Sequence, residues 1–295
     1  MTSKLLVTYM TLGFPDPPSF AAFIEGADQL GTDIFELGYP PSFAKYDGPT
    51  IRKSYASAKA IGADFPMLIK KAREITHKKI IVLSYLEGLQ DHLDSFLETV
   101  ASAGADGVLF PDLLVDFSET YSNYVKKVLN KGLAPVVFVS PFMPDRLIAE
   151  VSRISEPFLY LGVRPTTGIP TPGDVSVLVN RVRDLSANDI VVGFGLRNDH
   201  DVREAIIAGA NGIAVGTAYV EAAEKQGVQA ALKVVTRMRS ILDEFERNLG
   251  EPTERKGPQH RRRCRCRTFP CQRGAFQRAG SSFARSTKGQ RGGCR

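Results

Sequence analysis

The chain has 295 residues, of which 43% are hydrophobic and 24% charged, a balance typical of soluble globular proteins. No stretch approaches the roughly 18 consecutive apolar residues of a transmembrane helix, which excludes a membrane-spanning protein. The formal net charge of +6 suggests a nucleic-acid partner, but residues 251–295 hold 13 Lys and Arg against 2 Asp and Glu. Residues 1–250 are therefore mildly acidic, and the two parts need separate interpretations.

The first 250 residues alternate between strand-like and helix-like segments. Short apolar runs bounded by Gly, Pro or Asp are typical of buried parallel strands, and eight of them occur. They span Leu5–Thr11, Asp33–Gly38, Lys79–Tyr85, Gly107–Asp112, Ala134–Ser140, Phe158–Val163, Ile190–Gly195 and Gly212–Gly216. The segments between them carry apolar residues at helical spacing, and Ala230–Phe245 predicts a long amphipathic helix that ends near Gly250.

Eight βα units in about 250 residues predict an α/β fold, the (β/α)8 TIM barrel, as a single domain over residues 1–250. An open doubly wound sheet is the alternative, but it rarely contains eight consistent units. In such barrels the chemistry lies on the loops that follow the strands, which directs attention to those loops. The first ten residues do not resemble a signal peptide, so we expect a cytoplasmic protein.

Two carboxylates lie near the end of the second strand, one within the strand and one in the loop that follows it. Glu36 lies within an apolar strand, where burial should raise its pKa and suit it to proton transfer; the alternative is a structural pair with a buried cation. Asp47 comes eleven residues later, after a loop that is long for a barrel, and could instead cap the next helix. We expect one buried and one exposed carboxylate that divide the acid and base roles.

Glycine turns follow the last three strands and predict a phosphate site. In barrels of this kind, backbone N–H groups after strands seven and eight often bind phosphate, and glycine allows the oxygens to approach closely. The candidates are Thr167, Gly168, Gly193, Gly195, Gly216 and Thr217. Tight turns without a ligand are the alternative. Residues 1–250 show no metal-ligand spacing, and we expect His77, His92 and His200 to lie on the surface.

Several motifs occur in an order that resembles the α subunit of tryptophan synthase, from residue 4 to about residue 248. They are Thr11-Leu-Gly-Phe-Pro-Asp16, Glu36-Leu-Gly38, Asp47-Gly-Pro-Thr-Ile51, Pro165-Thr-Thr-Gly168, Gly193-Phe-Gly195 and Gly216-Thr217. The resemblance implies a lyase of tryptophan biosynthesis that cleaves indole-3-glycerol phosphate to indole and glyceraldehyde 3-phosphate by retro-aldol acid/base catalysis. It also implies no cofactor in this subunit and a β-subunit partner that carries pyridoxal phosphate, in an α2β2-type complex.

The resemblance assigns roles to single residues. Glu36 and Asp47 match the family's catalytic pair, and Tyr9 lies where an aromatic side chain lines the indole pocket. A family tyrosine matches Tyr160 only if one residue is deleted before Gly168, and otherwise Leu159 takes its place. Phe43 stands where the family commonly has an aspartate that helps to couple the subunits.

Other functions remain open from the residues alone. A sugar-phosphate epimerase or another phosphate-binding TIM-barrel enzyme would share the glycine turns. A weakly active barrel that chiefly activates a partner subunit would share the fold. A nucleic-acid-binding protein would depend only on the basic segment at the end of the chain.

Residues 251–295 contain no Leu, Ile, Val or Met, so they cannot bury a core and we predict that they are disordered. They hold all four cysteines of the chain, Cys264, Cys266, Cys271 and Cys294. One functional interpretation is an arginine-rich arm that binds polyanions. Another is a zinc site formed by the cysteines with His260, although their spacing differs from standard zinc fingers. An extension without function is the simplest interpretation.

Overall fold

The computed structural model describes residues 3–163, 174–196 and 198–250, with side chains described up to residue 247. Within these ranges eight parallel strands form a closed barrel in which each strand pairs with the next and β8 pairs with β1. The strands are β1 Leu5–Thr11, β2 Ile34–Gly38, β3 Lys79–Leu83, β4 Gly107–Leu109, β5 Ala134–Val139, β6 Leu159–Gly162, β7 Ile190–Gly193 and β8 Gly212–Val215. The predicted (β/α)8 TIM barrel is confirmed.

Helices follow the strands and cover the outside of the barrel. In the described residues they are α1 Pro17–Gln29, α2 Pro49–Ile61, α3 Phe65–Ile75, α4 Leu93–Ser102, α5 Leu113–Asp116, α6 Tyr121–Asn130, α7 Asp145–Ser152, α8 Val175–Leu185, α9 Asp199–Ile207, α10 Thr217–Gln226 and α11 Val228–Gly250. Asp16, Asp64, Asp174 and Asn198 each cap a helix by accepting a backbone N–H bond. None of the helices in these ranges is long and apolar enough to cross a membrane.

Several strands end earlier than their apolar runs predict. The apolar run that contains β3 continues to Tyr85. The pairing of β3 with β4 nevertheless stops at Leu83, because the chain turns into a loop there. Buried Asp112 fixes that loop by accepting the backbone N–H groups of Leu86 and Glu87, at 3.0 and 2.9 Å. The last apolar residues of these runs therefore belong to the loops at the mouth of the barrel.

Alternating side chains divide the core into an inner and an outer layer. The inner layer fills the barrel and includes Val7, Ile81, Leu109 and Val191. The outer layer packs the strands against the helices and holds most of the buried apolar side chains. Two opposed layers explain why the strands read as continuous apolar runs, since both faces of each strand are buried.

The first two strands place Tyr9 and Glu36 side by side, because the register of β1 and β2 pairs these two residues. The ring of Tyr9 crosses in front of Gly38, where an added Cβ would lie only 2.2 Å from the tyrosine hydroxyl. Glycine is therefore required at this position by close approach, and the Glu36-Leu-Gly38 motif serves both the carboxylate and the tyrosine.

The final helix is attached to the beginning of the first strand. Arg239 of α11 bonds the backbone oxygen of Lys4 at 3.0 Å and pairs with Asp33, Asp243 and Glu246. Arg239 is mostly buried, so its ion pairs are less screened than those of an exposed arginine. This cluster lies at the amino-terminal end of β1, opposite the loops that follow the strands.

Candidate active site

A cavity opens where the strands end, at the face of the barrel on which βα loops carry chemistry. The space inside it, counted together with its open mouth, is about 510 Å³. Its lining residues lie on six of the eight strands or on the segments that follow them: Tyr9, Glu36, Asp47, Ile51, Leu83, Tyr160, Phe194, Gly195, Leu196, Ala214, Val215, Gly216, Thr217 and Ala218. Seven of the ten predicted site residues are therefore brought together here.

Glu36 points into this cavity from the middle of β2, and only 3% of its surface is exposed. Burial raises the pKa of Glu36 to about 8, and the nearby charge of Asp47 adds to the increase. In the described part of the chain no Lys or Arg lies within ion-pair distance of Glu36. The alternative of a structural ion pair is thus not supported, and at neutral pH this carboxyl group can hold a proton.

Asp47 is also buried, with 4% of its surface exposed, so the expectation of one exposed carboxylate is wrong. The β2–α2 loop, residues 39–48, folds inward and turns Asp47 into the cavity. Asp47 does not cap α2, because the N-cap residue is Gly48. Burial raises the pKa of Asp47 to about 7, against the opposing effect of the hydroxyls of Tyr85 and Tyr55 beside it.

The two carboxyl groups each have an oxygen that makes no hydrogen bond to the described residues. Glu36 Oε2 and Asp47 Oδ2 are both fully buried atoms. A buried polar atom without a partner costs free energy, and such atoms in a cavity point to a ligand that supplies the partner. The two oxygens are therefore available to a substrate.

Tyr9 lies beside the pair and is held by a line of hydroxyl groups. Its hydroxyl is 2.9 Å from Thr11 Oγ1, which is 2.6 Å from Ser54 Oγ, and Ser54 donates to the Ile51 carbonyl at 2.7 Å. Burial raises the pKa of Tyr9 well above its ordinary value, so the side chain stays neutral. Tyr9 can form an apolar and aromatic wall, as predicted for an indole pocket.

Tyr160 enters the cavity from β6, whereas Leu159 lies in the outer layer. The ring of Tyr160 packs edge-on against Phe194 and tilted against Phe138, with ring centroids 6.1 and 5.7 Å apart. The structure therefore places the tyrosine, and not the leucine, beside the carboxylates. Its catalytic role stays a prediction.

The predicted phosphate residues fall into three groups. Gly195, Gly216 and Thr217 line the cavity, and Thr217 is the first residue of α10. The first N–H groups of a helix have no partner within the helix and attract anions, so this helix start suits a phosphate. The described lining contains no Lys or Arg. Thr167 and Gly168 lie outside the described residues.

Gly193 has a different environment from the other predicted glycines. It ends β7 and is absent from the cavity lining, and an added Cβ there would lie 2.2 Å from the Tyr160 hydroxyl. Close approach of this tyrosine therefore requires a glycine. Phosphate binding by Gly193 stays a prediction.

Sequence reasoning missed several residues of the site. Phe194 lines the cavity with a φ of 48°, a left-handed conformation that is uncommon for a bulky residue and often marks functional sites. Leu83 lines the cavity, and Tyr85 borders Asp47. The alternation of inward and outward residues at the end of the third run could have identified this pair, since the two are separated by one residue. Tyr55 of α2 carries no comparable signal.

The histidine prediction is confirmed, because His77, His92 and His200 are all exposed. In the ranges that the structure covers, no group of three or more His, Cys, Asp or Glu side chains could hold a metal ion. The possible zinc ligands His260, Cys264, Cys266, Cys271 and Cys294 lie outside the described residues.

Comparison with known proteins agrees with this geometry. The sequence profile of the family "Tryptophan synthase alpha chain" matches residues 1–249. A tryptophan synthase alpha chain from Sulfurisphaera tokodaii is 52% identical over 242 residues, which cover 82% of this chain and 99% of the relative. The same protein from Saccharolobus solfataricus is 50% identical, covering 82% of this chain and 98% of the relative.

Solved structures show the same fold. A tryptophan synthase complex from Pyrococcus furiosus has a chain that is 26% identical, with a TM-score of 0.70, covering 83% of this chain and all of that one. A tryptophan synthase subunit alpha from Legionella pneumophila, 24% identical with a TM-score of 0.72, shows the likeness of fold over 82% of this chain and 93% of its own length. The family profile and the two relatives carry the assignment: this chain belongs to the tryptophan synthase alpha chain family.

Proposed function

We propose that this chain cleaves indole-3-glycerol phosphate to indole and glyceraldehyde 3-phosphate, with Glu36 and Asp47 as the acid/base pair. One observation carries the proposal: two buried carboxyl groups with raised pKa values and unbonded oxygens face one cavity, beside the start of α10. A proton donor, a charge stabiliser and an anion site are what this reaction requires.

Glu36 moves the proton in both halves of the proposed reaction. With a pKa of about 8 it is mostly protonated at neutral pH and can donate its proton to indole C3. The resulting ring cation weakens the bond between C3 and C3′. The ionised Glu36 then takes the proton of the C3′ hydroxyl as the carbonyl forms, and the electron pair of the broken bond returns to the ring. Glu36 ends protonated, ready for another turnover.

Asp47 stabilises the cation that forms between these two proton transfers. Its pKa of about 7 lies below that of Glu36, so Asp47 is the first of the pair to ionise. A carboxylate that accepts the indole N–H bond would stabilise the positive charge on that nitrogen, and more strongly in a buried site than in water. Tyr9 and Tyr160 would form the walls that hold the indole ring.

The phosphate would lie at the start of α10 and on the glycine turns. Gly195, Gly216 and Thr217 offer backbone N–H groups and a hydroxyl, and we propose Thr167, Gly168 and Gly193 as further donors. Neutral donors with a helix N-terminus can bind a phosphate without a basic side chain, so a mildly acidic barrel can hold an anionic substrate.

We propose a tryptophan synthase β subunit as the partner. A neighbouring structure from Pyrococcus furiosus is described as a tryptophan synthase α2β2 complex, and its chain is 26% identical to this one. Phe43, Val115 and Phe142 are exposed apolar side chains on loops and helices that follow the strands, which suits a face covered by another protein. The proposed reaction needs no cofactor in this chain, and pyridoxal phosphate would belong to the β subunit. A cytoplasmic location remains part of this proposal.

An indole-release assay tests the function. Purified protein with indole-3-glycerol phosphate should release indole, and addition of a β subunit should raise the rate. Release that stays at background in both conditions would contradict the proposal. Release that appears only with the β subunit would favour the second candidate, a weakly active barrel that chiefly activates its partner, a possibility raised by Phe43.

We also propose that residues 1–250 are the complete catalytic domain and that residues 251–295 contribute nothing to it. Deletion of residues 251–295 is expected to leave the melting temperature and the rate of indole release unchanged, because this segment lacks the apolar residues needed to pack against a core. Differential scanning fluorimetry and the indole assay on both proteins measure this. A clear drop in either quantity would assign the segment a structural or catalytic role.

A further inference from the structure

A single lysine connects three segments at the mouth of the barrel, two loops and a short helix. Lys45, in the β2–α2 loop, has its Nζ atom 2.5 Å from Glu87 Oε2 and 2.8 Å from Asp116 Oδ2. Glu87 belongs to the loop that follows β3, and Asp116 ends the short helix α5 that follows β4. The loop that carries Asp47 is therefore attached to its neighbours by two ion pairs.

The next residue strengthens the same attachment. Tyr46 donates its hydroxyl hydrogen to the carboxylate of Asp116, at 3.0 and 3.1 Å from the two oxygens. Its ring stacks on Tyr85, with centroids 6.3 Å apart and an interplanar angle of 26°. The hydroxyl of Tyr85 lies beside Asp47, so the ring on which Tyr46 stacks is a neighbour of the buried carboxylate.

The acidic partners of Lys45 are held by their own contacts. Buried Asp112 accepts the N–H of Glu87 at 2.9 Å, and the N–H of Asp116 bonds the Asp112 carbonyl at 2.9 Å. Asp112 thus fixes the backbone of both acidic residues independently of Lys45. Fixed partners reduce the conformational entropy that an ion pair loses, which makes this cluster more effective than an isolated surface pair.

We propose that Lys45 is a positioning residue that keeps the β2–α2 loop closed and so holds Asp47 buried beside Glu36. Lys45 touches neither the cavity nor the reacting groups, since it is absent from the lining, and it acts only through the loop. The ion pairs of Lys45 hold the second half of this loop and offset part of its conformational entropy, whereas the carbonyl groups of Tyr39 and Pro41 attach the first half to Ser84 and Lys59. The catalytic consequence rests on the function proposed above.

Lys45→Met tests this role, because methionine keeps the aliphatic stem and removes the charge. Backbone hydrogen exchange should become about tenfold faster in residues 39–48, because the loop opens more often once both ion pairs are lost. The value of kcat/KM for indole release should fall with the fraction of protein whose loop is closed, by no more than the factor by which exchange rises, while the Kd for glycerol 3-phosphate, which would report the start of α10, stays unchanged. Lys45→Arg should restore both quantities to within about twofold.

Lys127→Met is the matched control, because Lys127 makes a comparable 2.5 Å pair with Asp94 between α6 and α4, away from the β2–α2 loop. It should change neither the loop exchange nor kcat/KM. Unchanged exchange of residues 39–48 in Lys45→Met would overturn the proposal, and so would an equal increase throughout the barrel. The exchange measurement does not depend on turnover, so its outcome stands even if the parent protein releases no indole.

Glu87→Gln and Asp116→Asn complete the experiment as a double-mutant cycle. Each should loosen residues 39–48 when introduced alone, because each removes one of the two ion pairs. Glu87→Gln should not loosen them further in a Lys45→Met background, since its interacting partner is already absent, whereas Asp116→Asn also weakens the bond from the Tyr46 hydroxyl and should add that loss. Additive effects of Glu87→Gln and Lys45→Met would contradict a shared role of the two residues.

Discussion

Glu36→Gln is expected to lower the rate of indole release by about a thousandfold, within the range that general acid–base catalysis contributes. Glutamine keeps the size of the side chain and its place on β2, but it cannot donate a proton to indole C3 or accept one from the C3′ hydroxyl. Affinity for glycerol 3-phosphate should stay nearly unchanged, because the proposed phosphate donors belong to the turns after β6, β7 and β8. Steady-state kinetics and calorimetric binding measure the two quantities.

Glu25→Gln is a suitable control for this prediction, since Glu25 is an exposed residue of α1 on the outside of the barrel. The same chemical change there should leave turnover and binding as in the parent. If Glu36→Gln turns over at the parental rate, Glu36 is not the proton donor. If the variant instead loses affinity for glycerol 3-phosphate, its effect is on the shape of the site and not on proton transfer.

The fold was predictable because its physical signals are local and repeated. Apolar runs of strand length, separated by amphipathic segments, arise from strands buried on both faces. Gly104 and Gly209 end helices just before β4 and β8, and both adopt the positive φ that such turns require. Tyr9 and Glu36 lie side by side because the neighbouring parallel strands β1 and β2 pair these two residues.

The site was only partly predictable, because its remaining features depend on distant contacts. Nothing near Asp47 in the sequence indicates that its loop folds inward, since the partners of Lys45 in that loop, Glu87 and Asp116, come about 40 and 70 positions later. The environment of Gly193 depends on Tyr160, which is 33 positions earlier and lies on the neighbouring strand. Local patterns identify the residue types in such cases, but the partner that explains them is set by the tertiary structure.

The free energy of unfolding is expected to depend on pH through the pKa of Glu36. Burial raises this pKa to about 8 in the folded chain, whereas the unfolded value is close to 4.5. Between these two values the folded state binds more protons than the unfolded state, so the free energy of unfolding falls as the pH rises. This contribution is fully present below about pH 4.5 and is lost as the pH rises towards 8. The folded chain is therefore less stable near neutral pH, where the proposed reaction would take place, than at acidic pH.

Glu36→Gln removes this titration, so the variant should gain stability relative to the parent as the pH rises. The difference in the free energy of unfolding should increase by roughly 3 kcal/mol between about pH 4.5 and pH 7. Denaturant unfolding of both proteins at several pH values measures it, with Glu25→Gln as the exposed control. Asp47 titrates in both proteins and largely cancels. A difference that stays constant with pH would mean that Glu36 is ionised in the folded chain, and it would remove the protonated carboxyl group that the proposed first step requires.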